Sequence, residues 1–210
     1  MTLAPADRNG AEFMVSSILA GFGPMAMVVL RVLFAATVLF AAISIHRRRL
    51  PWFRIALVTA LEGIVYALVL GPLASVLTAN SFQMLSVGEM SGRVAGSEIV
   101  KDLVGSLGAG IFEEVLFRLV LLSLLALACT RAAASFCLPR VIGVMAAVLI
   151  SALIFSLFHH VGPGGAPLEG SAFLFRTMAG LLLGAVFVVR GLGVCVYAHA
   201  FYDVHYYLSQ

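Results

Sequence analysis

An all-α bundle of about six transmembrane helices is the fold class that this sequence predicts, and three observations predict it. Of 210 residues, 62% are hydrophobic and 11% charged, where a soluble domain carries about 25% charged residues. The mean hydropathy is +1.09. The apolar residues fall in long runs of helical period, not in the alternating pattern of a membrane barrel. At about 20 apolar residues per crossing, the chain has room for roughly six helices and short loops. Residues 1–210 therefore read as a single integral membrane domain with no separate soluble part.

Residues 1–12 are polar with mixed charge, and the apolar stretch after them is too long for the core of a cleavable signal, so none is expected. That stretch, Phe13 to Ile45, exceeds one span by about a dozen residues. Gly21, Gly23 and Pro24 are expected to break it into a short interfacial segment and a first membrane helix. A second helix is expected from Trp52 to Ala79, interrupted by Glu62. The polar connection Asn80 to Gly96 follows, and Ser97, with Glu98 after it, is placed to cap the third helix. The third helix carries the apolar run Leu103 to Cys129. Arg131 and Arg140 bracket the next turn, and Pro139 opens a fourth helix that ends near His160. Gly162-Pro163-Gly164-Gly165 and Pro167 mark a loop. A fifth helix runs from Ser171 to Val189, with Gly180 and Gly184 spaced for close packing. Arg190-Gly191 then turns the chain into a sixth helix, Leu192 to Leu208.

The net charge of +3 is nearly all arginine, Lys101 being the one lysine. Its distribution speaks of membrane orientation and against nucleic acid as a partner. Arg47 to Arg54, Arg131 with Arg140, and Arg190 fall in alternate loops, which the positive-inside rule assigns to the cytoplasm. The third helix then starts outside, the fourth ends outside at His159, and the sixth carries His199 and Asp203 into its outer half. Cys129, Cys137 and Cys195 are odd in number and lack metal-type spacing, so they read as small core residues.

Charged side chains at membrane depth cost about 2.5–3.5 kcal/mol each on insertion scales, so they rarely sit there without a task. The third helix nevertheless holds Glu113, Glu114 and Arg118. On a helix Glu114 and Arg118 share a face and can pair, whereas Glu113 points about 100° around from Glu114. One glutamate is thereby held and its neighbour left for chemistry. Phe155 and His159 are also four apart, so the ring can orient the imidazole, and His199 and Asp203 repeat the spacing. Glu113, His159, His199 and Asp203 can thus meet from three helices at one depth. Such a cluster suits a divalent metal, above all zinc, with an open position for water. It equally suits a metal-free site in which glutamate and histidine activate water while the other histidine steadies an oxyanion. Either chemistry is hydrolysis of a carbonyl. Among the remaining polar groups, His160 and the tyrosines Tyr197, Tyr202, Tyr206 and Tyr207 read as interfacial, and Arg176 as a headgroup contact. Gly108 and Gly110 read as positions of close packing or water access.

The sequence Glu113-Glu114-x-x-x-Arg118, then Phe155-x-x-x-His159, then His199-x-x-x-Asp203 resembles the three-part signature of the CPBP family. These are type II CAAX prenyl endopeptidases and bacteriocin-processing (Abi) intramembrane proteases. The resemblance covers Gly105 to Leu208. It implies a helical membrane bundle with a conical cavity and a candidate catalytic set of Glu113, Glu114, His159, His199 and Asp203. Glu113 would be the base that activates water and His159 its partner, while His199 and Asp203 would bind metal or steady the oxyanion. Arg118 would fix the second glutamate. The last position is more often Asn in that family, and the added charge of Asp203 leans toward a metal ligand. A metal would accordingly take Glu113, His159, His199 and Asp203.

The expected function is an intramembrane endopeptidase acting on a membrane-anchored protein or peptide. Its expected setting is the lipid bilayer of a bacterial inner (plasma) membrane, with the site toward the non-cytoplasmic half. Two alternatives of other classes are a proton-coupled transporter using the glutamate pair as a relay and a non-catalytic scaffold or immunity factor. The absence of an obvious inverted repeat or of paired discontinuous helices speaks against the transporter.

Overall fold

The computed structural model describes residues 23–81, 108, 110–161 and 167–208. The N-terminal polar segment, the interfacial stretch before Gly23, the Ser97 cap and most of the polar connection lie outside the described residues, as does the Gly162–Gly165 loop. The described residues form helices and turns without a strand. In chain order they are α1 (Pro24–Arg47), α2 (Trp52–Ser81), a π-helical segment (Val115–Leu122) continuing into α3 (Ser123–Ser135), α4 (Arg140–Phe158), α5 (Gly170–Arg190) and α6 (Leu192–Leu208). Among the described residues, three stretches are long and apolar enough to cross a membrane: Trp52–Thr78, Arg140–Phe158 and Gly170–Arg190. The chain is an all-helical integral membrane protein.

The breaks fall where the chain's chemistry demands them. Gly23, at φ 88°, occupies a conformation that side chains disfavour, and Pro24 then opens α1. Gly191, at φ 84°, makes the one-residue turn between α5 and α6. The third helix departs from expectation in two ways. It runs on to Ser135, because Ala132, Ala133 and Ala134 favour helix. Arg131 therefore lies within it, and the turn is made by residues 136–139, with Cys137 at φ 55°. Its middle is also not an α-helix: from Val115 to Leu122, between α-helical residues on either side, the backbone is widened to the π form, in which amides reach back five residues instead of four.

A widened helix leaves main-chain carbonyls imperfectly paired, and two serines serve them. Ser151 of α4 donates its hydroxyl to the Phe117 carbonyl at 3.1 Å, and Ser123 donates to that of Arg118 at 3.4 Å. Helix α4 packs between α3 and α5, while α2 packs against α5 and α6. As expected from sequence, Gly180 and Gly184 let helices approach. A Cβ at Gly180 would stand 3.1 Å from Ala152, and one at Gly184 3.0 Å from Val148. Two apolar clusters result. Leu70, Leu183, Val186, Val194, Cys195 and Ala198 join α2, α5 and α6, and Phe117 with Phe155 joins the π segment to α4. The buried polar groups lie where these clusters meet.

Candidate active site

Glu113 and Glu114 stand immediately before the π segment, and both are buried together with Arg118 and His199. Their approach to α6 depends on Gly110, where a Cβ would lie 3.0 Å from Ala200, the neighbour of His199. Among the described residues, nothing lies within 4 Å of where a Cβ at Gly108 would stand.

The two glutamates have different surroundings. Glu114 is fully buried and gathers three partners. Arg118 Nη1 lies 2.9 Å from Oε1, His199 Nδ1 lies 2.6 Å from the same oxygen, and Cys195 Sγ lies 2.8 Å from Oε2. Nη1 and Nη2 of Arg118 make no well-aligned hydrogen bond to a described residue, so charge attraction holds the guanidinium more than directed bonding does. Its other support is the face of Phe155, whose ring centroid is 4.4 Å from Cζ, a cation–π contact. Removing one member of such a desolvated pair strands a charge and costs about 3–5 kcal/mol.

Glu113 faces the histidines instead. Its Oε2 is 3.9 Å from His159 Nε2 and 3.8 Å from His199 Nε2, and Asp203 Oδ2 is 3.7 Å from that same His199 nitrogen. The other ring nitrogens are committed elsewhere. His159 Nδ1 is 2.9 Å from the Phe155 carbonyl, which can only accept, so that nitrogen carries a hydrogen. His199 Nδ1 donates to Glu114 in the same way. Both imidazoles therefore turn Nε2 toward one small space that Glu113 and Asp203 also face. Phe155 packs against both, with ring centroids 4.8 Å from His159 and 6.2 Å from His199. The four groups expected to converge do so, and Arg118 and Phe155 stand behind them.

The separations bear on what could sit between them. One water bridges donors and acceptors at about 2.8–3.0 Å from each, a reach that groups 3.7–3.9 Å apart permit. Tetrahedral zinc with bonds of about 2.0–2.1 Å needs donors nearer to about 3.3 Å. Imidazole and carboxylate are the right donor types for zinc, but among the described residues no three are already drawn to ligand spacing. A small apolar cavity lined by Leu70, Ala74, Phe175, Ala179 and Tyr202 reaches His199 from the α2 side.

Other polar residues fall away from the cluster. His205 is exposed. His160 is turned aside, with Nδ1 donating to the Pro167 carbonyl at 2.9 Å and Nε2 accepting from Arg176 at 3.2 Å, so Arg176 meets a side chain. Tyr202 packs beside Gly71 of α2 and Tyr197 stacks on Phe201 at 6.0 Å; the side chains of Tyr206 and Tyr207 lie outside the described residues. Glu62 is paired by Arg190, whose Nη2 is 2.7 Å from Oε2 and whose Nε also donates to Oε1. The participant that the sequence reading passed over is Cys195. It is a core residue as expected, but it also touches Glu114. Its signal was present, since it precedes His199 by the same four residues that separate His199 from Asp203.

Neither a search of curated proteins nor a search of solved structures gives a match. A family model described as Type II CAAX prenyl endopeptidase Rce1-like matches residues 96–205. That span takes in just over half of the chain and includes every residue of the buried cluster, and the chain therefore belongs to the Rce1-like family of type II CAAX prenyl endopeptidases.

Proposed function

We propose that the protein is an intramembrane endopeptidase that hydrolyses a peptide bond of a membrane-associated or lipid-anchored protein, with Glu113 as the base. The observation that carries this is the shared space among Glu113 Oε2 and the Nε2 atoms of His159 and His199, each histidine nitrogen within 3.9 Å of the carboxylate oxygen. A water held there gives a hydrogen bond to Glu113 and another to the Nε2 lone pair of His159. Glu113 takes the water's proton as its oxygen attacks the substrate carbonyl carbon, then returns that proton to the leaving amine. When His199 Nε2 is protonated, both ring nitrogens donate, Nδ1 to Glu114 and Nε2 to the oxygen that gains charge. Asp203 Oδ2 lies 3.7 Å from that nitrogen. Glu114 and Arg118 hold His199 in register without touching substrate.

A divalent metal, zinc foremost, would be held by Glu113, His159, His199 and Asp203 and would supply Lewis-acid polarisation of the scissile carbonyl. Metal content of the purified protein, with chelator sensitivity of cleavage, tests this.

We place the site toward the non-cytoplasmic half of a plasma membrane of the bacterial inner-membrane kind. In support, the turn rich in arginine at residues 47–49 and the turns at 136–139 and 190–191 lie at one end of their helices, whereas His159 closes the opposite end of α4. That position suits maturation of exported or lipid-anchored proteins. The test is cleavage of a membrane-anchored peptide by purified His159→Ala protein. Loss of turnover in a folded variant supports the role of His159, and full turnover rejects it. A reporter fused at residues 162–166 that proves cytoplasmic would reverse the orientation.

A further inference from the structure

Cys195 occupies the turn of α6 that precedes His199, fully buried, with Sγ 2.8 Å from Glu114 Oε2 and 3.2 Å from the Leu183 carbonyl. A thiol has one hydrogen for these two acceptors. Donation to Leu183 would leave sulfur lone pairs facing a carboxylate oxygen at 2.8 Å, whereas donation to Glu114 removes that repulsion and forms a charge-assisted bond. The hydrogen therefore goes to Glu114. The consequence passes through the carboxylate. Oε1 receives both Arg118 and His199, while Oε2 receives the thiol, so Cys195 fixes the rotation of the carboxylate plane. That rotation sets where Oε1 lies, and with it the tilt of the imidazole whose Nε2 faces Glu113 and Asp203.

We infer that Cys195 is a positioning residue of the hydrolytic site, its S–H bond to Glu114 aiming His199 at the space where water is activated. This rests on the hydrolytic role proposed for Glu113, His159 and His199. Cys195, His199 and Asp203 then form one stripe along α6 at successive turns. The thiol holds, the imidazole acts, and the carboxylate faces the same open side.

The experiment compares Cys195→Ala with Cys195→Ser in the full chain, in a kinetic assay on a membrane-anchored peptide with Glu113→Gln as control. Alanine and serine leave nearly the same gap, so the difference between them isolates the donor. Cys195→Ala is expected to lower kcat about 10–100-fold with KM within about twofold, the scale for partners that orient an acting histidine, and Cys195→Ser to recover most of the loss. A wild-type kcat in Cys195→Ala, or equal impairment in both variants, overturns the inference. Turnover by Glu113→Gln would instead remove the hydrolytic role itself, whatever Cys195 does. If the Cys195 variants do not fold, Cys129→Ser/Cys137→Ser protein retains this thiol alone, and its S–H stretch reports directly. A lowered band that shifts back with Glu114→Gln supports the bond to Glu114, and a band indifferent to that substitution overturns it.

Discussion

Glu113 and Glu114 are adjacent in sequence and identical in chemistry, yet they occupy opposite kinds of environment. Around Glu114 the protein is closed. An arginine, an imidazole nitrogen and a thiol converge on one carboxylate within 2.9 Å. Glu113 instead faces two imidazole nitrogens, 3.8 and 3.9 Å away. The first arrangement fixes a geometry and leaves no room for a reactant. The second is the side to which we assign the chemistry. On that proposed reading, adjacent buried carboxylates divide between structure and chemistry by the partners each one faces.

Perturbing each glutamate's surroundings in turn should separate these roles, and the largest effect is expected at Glu113. Glu113→Gln keeps the shape but removes the base. Turnover of a membrane-anchored peptide should fall about 10²–10⁴-fold, the usual worth of a positioned base, while the thermal unfolding midpoint in detergent stays at the wild-type value. A folded Glu113→Gln variant with ordinary kcat would erase the contrast.

On the closed side the loss should appear in stability. Arg118→Met removes the charge and keeps much of the volume, leaving Glu114 buried with less compensation. The expected destabilisation is about 3–5 kcal/mol, read as a lowered unfolding midpoint in denaturant or heat. An Arg118→Met protein as stable as wild type would mean that the imidazole and thiol suffice to hold Glu114.

Asp203→Asn sharpens the comparison from the Glu113 side. It removes one charge 3.7 Å from His199 Nε2 while keeping an oxygen there. A loss of about tenfold in kcat/KM is expected, at the low end for groups that tune an acting histidine. If the purified protein contains metal, its stoichiometry in Asp203→Asn shows whether this oxygen is a ligand. The smallest effect is expected from Glu62→Gln, which breaks the pairing with Arg190 away from the cluster. Catalysis should be unchanged and the unfolding midpoint should move little, since exposed ion pairs contribute weakly. A loss of turnover there would show that the end of α5 is coupled to the site.

Much of this was legible in the chain because helical spacing converts sequence into direction. Glu114 with Arg118, Phe155 with His159, and His199 with Asp203 are each four apart, and each pair meets as that period requires. What escaped depended on contacts between segments. Glu62 and Arg190 are 128 residues apart, and no local pattern joins them. Cys195 carried the right spacing, but its weakly polar thiol matched the apolar residues around it. The π segment is composed of Val, Leu and Phe with one arginine, residues that any helix accepts. Its carbonyls are met from outside the segment, as by Ser151 on α4, and no local pattern announces such a partner.

That widening has a consequence for the length of the chain itself. A π turn holds the equivalent of one residue more than the α-helix would need, so the segments on either side are offset by about 100° from an uninterrupted α register. Deleting Val120 would let the helix regularise and gain ordinary backbone bonding, while the glutamate pair swings away from α6. A shorter, more regular helix here would be a sounder helix and an inert protein.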